Sequence, residues 1–131
     1  MTIICVDFDG VIYPNFKYLG TTIIKGDPVP GAVNTLVKLA ESFTVVVHSA
    51  RCDTPEGVAA IRKYLDSIGL GAFEVLRDKP RAKIYIDDRA VCFNGDWART
   101  LSEISSFKQW QTDDKLRARI IRSRRRSSRR G

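Results

Sequence analysis

Two aspartates separated by one residue, Asp7 and Asp9, follow a short apolar run at residues 3–6, and a second acidic pair, Asp87 and Asp88, follows another at residues 84–86. Side chains two apart share a face in an extended segment, so Asp7 and Asp9 point the same way if the strand conformation continues. Gly10 then lets the backbone turn tightly or approach a ligand. Carboxylates drawn to one point repel one another, and their pKa values rise. A hard divalent cation resolves this, and Mg2+, which takes oxygen ligands and retains waters, suits carboxylates with no His or Cys nearby. Ser49 and Lys79, at neighbouring loop positions, add a hydroxyl donor and an ammonium. With a carboxylate nucleophile these are the parts of phosphoryl transfer, and phosphate is the natural ligand.

The elements that must position these groups alternate in type. Residues 3–6 and the β-branched run 44–47 read as buried strands, and residues 73–76 and 84–86 are two further apolar runs. One helix opens at Pro30, with Ala32, Val33, Leu36, Val37 and Ala40 on one face. A second begins after Asp53 or Thr54, with Pro55 in its first turn, Val58, Ile61, Leu65 and Ile68 on one face, and Gly69 as a stop. A third follows Asp96, with Trp97, Leu101, Ile104 and Phe107 as its apolar stripe. Such alternation predicts an α/β fold with a mostly parallel sheet under helical cover, in which ligands sit at the carboxyl ends of the strands. Residues 11–29, rich in Pro, Asn and Gly, read as a loop or small β-flap.

Composition limits what surrounds this unit. A chain of 131 residues holds one domain and excludes a second, and it is long enough for a core without disulfides or structural metal. The net charge of +7 is unevenly placed: residues 1–114 carry a net −2 and residues 115–131 a net +9. The domain is therefore expected at 1–114, followed by a basic Arg/Ser-rich tail that does not fold on its own after about Ile121. Three dispersed cysteines (Cys5, Cys52, Cys92) and one histidine do not make a zinc site or disulfide framework. No apolar run approaches the ~18 residues of a membrane helix, and a reducing, cytoplasmic location is the expectation.

The segments DFDGV (7–11), VVVHSA (45–50), Lys79-Pro80 and YIDDRA (85–90) resemble, in order, the four motifs of the haloacid dehalogenase-like (HAD) phosphatases. The resemblance runs from about residue 3 to about 110, leaves the tail uncovered, and is to small bacterial and bacteriophage hydrolases of that superfamily. It implies a Rossmann-like three-layer sandwich. It also implies that Asp7 attacks phosphorus to form an aspartyl-phosphate, and that Asp9 protonates the leaving group and then activates water. By the same resemblance Ser49 and Lys79 hold the phosphoryl oxygens, while Asp87, Asp88, Asp7 and the Asp9 backbone carbonyl hold Mg2+. The presence of Asp9 matters, because superfamily members without the second aspartate tend not to be phosphatases. Neither interval that takes a cap domain in the family is long enough here, so the resemblance implies a cap-less, open site and a macromolecular substrate or a covering partner.

Other assignments stay open at this level. Lys83 competes with Lys79 as the phosphate lysine, although at ~3.3 Å per residue it lies roughly 13 Å from Asp87. Arg51 reads either as a bidentate phosphate contact or as a solvent-facing loop residue. Arg89 reads as a partner for a carboxylate, His48 as a strand-end side chain, Cys5 and Cys92 as small core residues, and Trp97, Phe107 and Trp110 as a helix packing face. The tail either attracts a nucleic-acid backbone or is a solvated extension, and its Leu116, Ile120 and Ile121 make too short an apolar face for a membrane. The reading that follows is a Mg2+-dependent phosphatase of phosphate monoesters, nucleotides or nucleic-acid ends among them. The alternative is a nucleic-acid-binding accessory protein with little turnover.

Overall fold

β-branched runs set the sheet. In the computed structural model, which describes residues 1–129, β1 (Ile3–Asp7) pairs in parallel with β2 (Thr44–His48) from Ile3↔Thr44 to Asp7↔His48. β3 (Glu74–Leu76) lies outside β2, and β4 (Ile84–Ile86) pairs with β1 on its other side, giving the order β3-β2-β1-β4 with every pair parallel. The chain winds outward through β3 and then returns past β1. That reversal opens a crevice between the carboxyl ends of β1 and β4, where Asp7 and Asp87-Asp88 stand, and crevices of this kind are where open α/β sheets bind ligands.

Helices α1 (Ala32–Leu39) and α2 (Pro55–Ser67) connect the first three strands. Thr54 caps α2 by accepting from the Gly57 amide at 3.1 Å, Pro55 occupies the first turn, and Gly69 at φ 85° ends it. One core forms on one face of the sheet. Ile4, Val6, Val45, Val47 and Val75 meet Leu36 of α1 and Ile61, Tyr64 and Leu65 of α2, with Phe8, Ile12 and Tyr13 closing the end near the crevice. Each buried aliphatic side chain among them contributes roughly 1.5–3 kcal/mol.

The other face is covered differently. Tyr85 pairs with Cys5 and so shares its face, and the Tyr85 hydroxyl donates to Pro80 O and accepts from the Ala82 amide. The connection 77–83 therefore crosses this face without a helix. A helix, α3 (Trp97–Ser106), does form after Asp96, whose Oδ1 accepts from the Arg99 amide at 3.1 Å. Its expected apolar stripe does not pack: Trp97 is 74% exposed, Leu101 67% and Ile104 58%, and Thr100 is its buried residue. β4 is an edge strand with all three residues exposed. Cys92, expected in the core, is exposed as well, whereas Cys5 and Cys52 are buried.

The C-terminal segment also departs from expectation. Helix α4 (Asp114–Arg129) runs well past Ile121, and residues 130–131 lie outside the described residues. Asp113 starts it, its Oδ1 accepting from the Lys115 and Leu116 amides at 3.0 and 3.1 Å. Arg, Lys, Leu and Ala are strong helix formers, so propensity and a cap carry the helix where composition alone predicted no fold. Among the described residues, no helix is long and apolar enough to cross a membrane.

Candidate metal and phosphate site

Asp7 is the last residue of β1, and its Oδ1 accepts from the Phe8 amide at 2.9 Å. Asp87 and Asp88 follow β4 directly, and each of the three carboxylates offers an oxygen within 4.8 Å of the others. Burial pushes the Asp7 pKa up to about 7, with the neighbouring Asp87 and Asp88 charges adding to the rise and the Phe8 amide opposing it. The donor set is all oxygen. Asp88 Oδ1 is moreover buried with no hydrogen-bond partner among the described residues. An acidic, oxygen-only cluster with an unsatisfied buried acceptor fits a hard divalent cation such as Mg2+.

Asp9 shares the cavity but has different partners. Arg51 Nε and Nη2 donate to its two carboxylate oxygens at 2.8 and 2.9 Å, the bidentate geometry that guanidinium favours. Arg51 Nη1 donates to Gly20 O and Thr21 O, both at 2.8 Å, and the side chain is buried. The rings of Phe8, Tyr13 and Tyr18 lie within 6.0 Å of the guanidinium. The solvent-facing expectation for Arg51 is corrected by this: the side chain is buried, and from the cavity wall it donates to Asp9 and to the 11–29 segment. A local device holds it there: Ser49 caps the 3-10 turn Ala50–Asp53, its Oγ accepting from the Arg51 amide at 3.2 Å, and Gly57 leaves the space that the Arg51 carbonyl fills.

The two carboxylates of the Asp-x-Asp pair thus face one cavity of about 630 Å³, one among carboxylates and the other against a guanidinium. Ser49 and Lys79 line the same cavity. Lys79 stands with its ammonium 4.5 Å from the Tyr85 ring centroid, while Lys83 lies at the opposite end of β4, its amide bonded to Ile3 O. Gly10, expected to turn tightly or to approach a phosphate, makes the turn at φ 80° with its N–H donating to Tyr13 O at 2.7 Å, and a Cβ there would overlap the Asp88 carboxylate and the Gln111 amide. The Asp9 carboxylate lies outside the group of three that could hold a metal ion.

His48 is a strand-end residue as expected, its Nδ1 3.0 Å from Leu76 O, and it also lines the cavity. Among the described residues the Arg89 guanidinium pairs with no carboxylate, contrary to expectation: the backbone N–H makes that contact, donating to Asp87 Oδ1 at 2.7 Å, and the exposed side chain borders the cavity. Asn15, held at φ 54°, lines the cavity with its Oδ1 buried and without a partner.

Gln109 and Gln111, beside the cluster, escaped the sequence reading, and Trp110 between them was assigned to a different role. Gln109 and Gln111 Nε2 donate to Asp88 Oδ2 at 3.2 and 2.8 Å, and Trp110 Nε1 donates to Gly10 O. No periodicity signalled the glutamines, because the chain enters a 3-10 turn at Trp110 and the contacts span 21 and 23 positions. Trp110, expected on a helix packing face, instead lies in the 3-10 turn Trp110–Thr112, with its ring 5.8 Å from Phe16. Comparison with family models, curated proteins and solved structures finds no match to this chain.

Proposed function

We propose that the chain is a Mg2+-dependent phosphohydrolase acting on phosphate monoesters through an aspartyl-phosphate on Asp7, as its resemblance to HAD phosphatases implies. The observation that carries the reading is the convergence of Asp7, Asp87 and Asp88 at the sheet crevice, with Asp9, Ser49 and Lys79 on the same cavity wall. Asp7, Asp87 and Asp88 would hold the cation, which would supply neutralisation of phosphoryl charge and would keep Asp7 ionised. Asp7 then attacks phosphorus while the bond to the leaving oxygen breaks, and Asp9 in its protonated form gives that oxygen its proton. In the second half, Asp9 as carboxylate takes a proton from water as the water oxygen attacks phosphorus, which releases phosphate and restores both aspartates. Ser49 and Lys79 hold the phosphoryl oxygens, and Arg51 fixes Asp9 in reach.

The body carries a net −2 and the C-terminal segment +9, and Lys115, Arg117, Arg119 and Arg122 are exposed on α4. A nucleic-acid backbone is the partner such a helix attracts, through counterion release. No apolar residue follows Ile121, so a membrane-seeking face is lacking. A phosphorylated nucleic-acid end is accordingly the substrate proposed. The alternative, a nucleic-acid-binding accessory protein without turnover, rests on the same helix alone.

The test is phosphate release from an aryl phosphate, a nucleotide panel and phosphorylated oligonucleotides, with Mg2+ or with chelator. The expected result is release that requires Mg2+ and falls at least about 10³-fold in Asp7→Asn, readable because uncatalysed monoester hydrolysis is among the slowest reactions known. No release from any of these, with salt-dependent oligonucleotide binding intact, would overturn the hydrolase reading in favour of the accessory one.

A further inference from the structure

We infer that Gln109 and Gln111, anchored by Trp110, are positioning residues that set Asp88 for the cation, so that the C-terminal segment completes the metal site. The inference rests on the metal reading of the carboxylate cluster and not on hydrolysis itself.

Asp88 follows an exposed edge strand and precedes a loop, so little in its own element fixes its carboxylate. The two glutamines supply that constraint from 21 and 23 positions away. Both donate to the same oxygen, Oδ2, leaving Oδ1 buried and without a hydrogen-bond partner among the described residues, as is Gln111 Oε1. The chemistry of the donors is the telling point. A neutral amide orients a carboxylate and leaves its negative charge for a cation, whereas a guanidinium neutralises it. Asp9, outside the cluster, takes the guanidinium of Arg51; Asp88, inside it, takes the two glutamine amides. Hydrogen-bond donors placed behind a metal-ligating carboxylate orient it, and losing them typically lowers metal affinity 10- to 100-fold.

The segment is held to the site, not merely near it. Trp110 Nε1 bonds Gly10 O, its ring meets Phe16 edge-on, and the Arg117 guanidinium lies 5.0 Å from the Phe16 centroid. Gly10 is the residue that permits this, because any side chain there would displace both the Asp88 carboxylate and the Gln111 amide.

The experiment is a Mn2+ titration of the full chain followed by electron paramagnetic resonance, on wild type, Gln111→Leu and Gln109→Ala/Gln111→Leu, with metal-free thermal melts alongside. The expected result is a Mn2+ midpoint raised roughly 10- to 100-fold in the double variant and less in the single one, with the metal-free melting temperature little changed. A merely structural role would lower the melting temperature and leave the midpoint in place. Should the double variant not fold, Gln111→Asn, which keeps the amide but withdraws it by one methylene, carries the test, and a midpoint raised at least about threefold is expected. A midpoint within about twofold of wild type in the folded variants overturns the inference. Wild type that binds no Mn2+ overturns it together with the metal reading. Wild type that binds Mn2+ but hydrolyses nothing removes the proposed function and leaves the titration to decide the inference.

Discussion

Asp7 and Asp9 stand two residues apart and meet opposite electrostatics. Asp7 faces two further carboxylates and Asp9 a buried guanidinium. The folded Asp7 carboxyl keeps its proton to about pH 7, while the unfolded chain releases it near the ordinary value of 3.8. Between those values the native state binds more protons, so metal-free stability falls as pH rises through the window and is lowest above it. Asp7→Asn removes this penalty. At about pH 8 without metal it should stabilise the chain by about 2 kcal/mol, allowing for solvent screening, in urea unfolding, and the gain should vanish below about pH 4. Adding Mg2+ to wild type at about pH 8 should raise the melting temperature, with little effect at about pH 5. Arg51 gives the converse case: Arg51→Met leaves Asp9 part-buried and unpaired and frees the Gly20 and Thr21 carbonyls. A loss of roughly 3–5 kcal/mol in denaturant unfolding is expected, the range for breaking a buried ion pair.

Among the elements, the helix rules read correctly for α2 and misled for α3, although both show the helical apolar period. In α2, Ile61 and Leu65 are buried and Thr54 caps as expected. One position runs against intrinsic propensity. Gly57→Ala would gain up to about 1 kcal/mol in an isolated helix, but here a Cβ overlaps the Arg51 backbone carbonyl. The net expectation is destabilisation by roughly 1–3 kcal/mol in a denaturant titration, with the Arg51 to Asp9 bridge displaced. In α3 the stripe is regular yet stays exposed, and the Phe93 ring that meets Trp97 at 4.7 Å is itself half exposed. Trp97→Gln and Leu101→Gln should each change stability by no more than about 0.5 kcal/mol, the surface range, measured in the same way.

Across the molecule, charge is partitioned between an acidic body and a basic C-terminal helix that begins beside the acidic site. If α4 tracks a single-stranded backbone, each guanidinium that neutralises a phosphate adds about 0.7 to the salt slope of binding. Replacing Arg119 and Arg122 with Gln should therefore make the plot of log affinity against log salt shallower by about 1.4, while turnover of a small aryl phosphate is unaffected. An unchanged slope would remove α4 from the interface.

Features that depend on local geometry were legible from the residues alone. Strand and helix periodicities follow from backbone dihedrals, so the strands ending at Asp7 and before Asp87, the α2 cap at Thr54 and the α3 cap at Asp96 could all be read, as could the placing of acidic residues at strand ends. Which side chains meet was settled only when the chain folded. Arg51 reaches Asp9 across 42 positions and Gln111 reaches Asp88 across 23, and no periodicity encodes those distances. The same holds for burial, since a pattern shows that a face is apolar but not whether the chain returns to cover it. Cys92 and the α3 stripe stayed exposed for that reason, and Gly10 proved to be a packing position because Asp88 and Gln111 converge on it only in the folded chain.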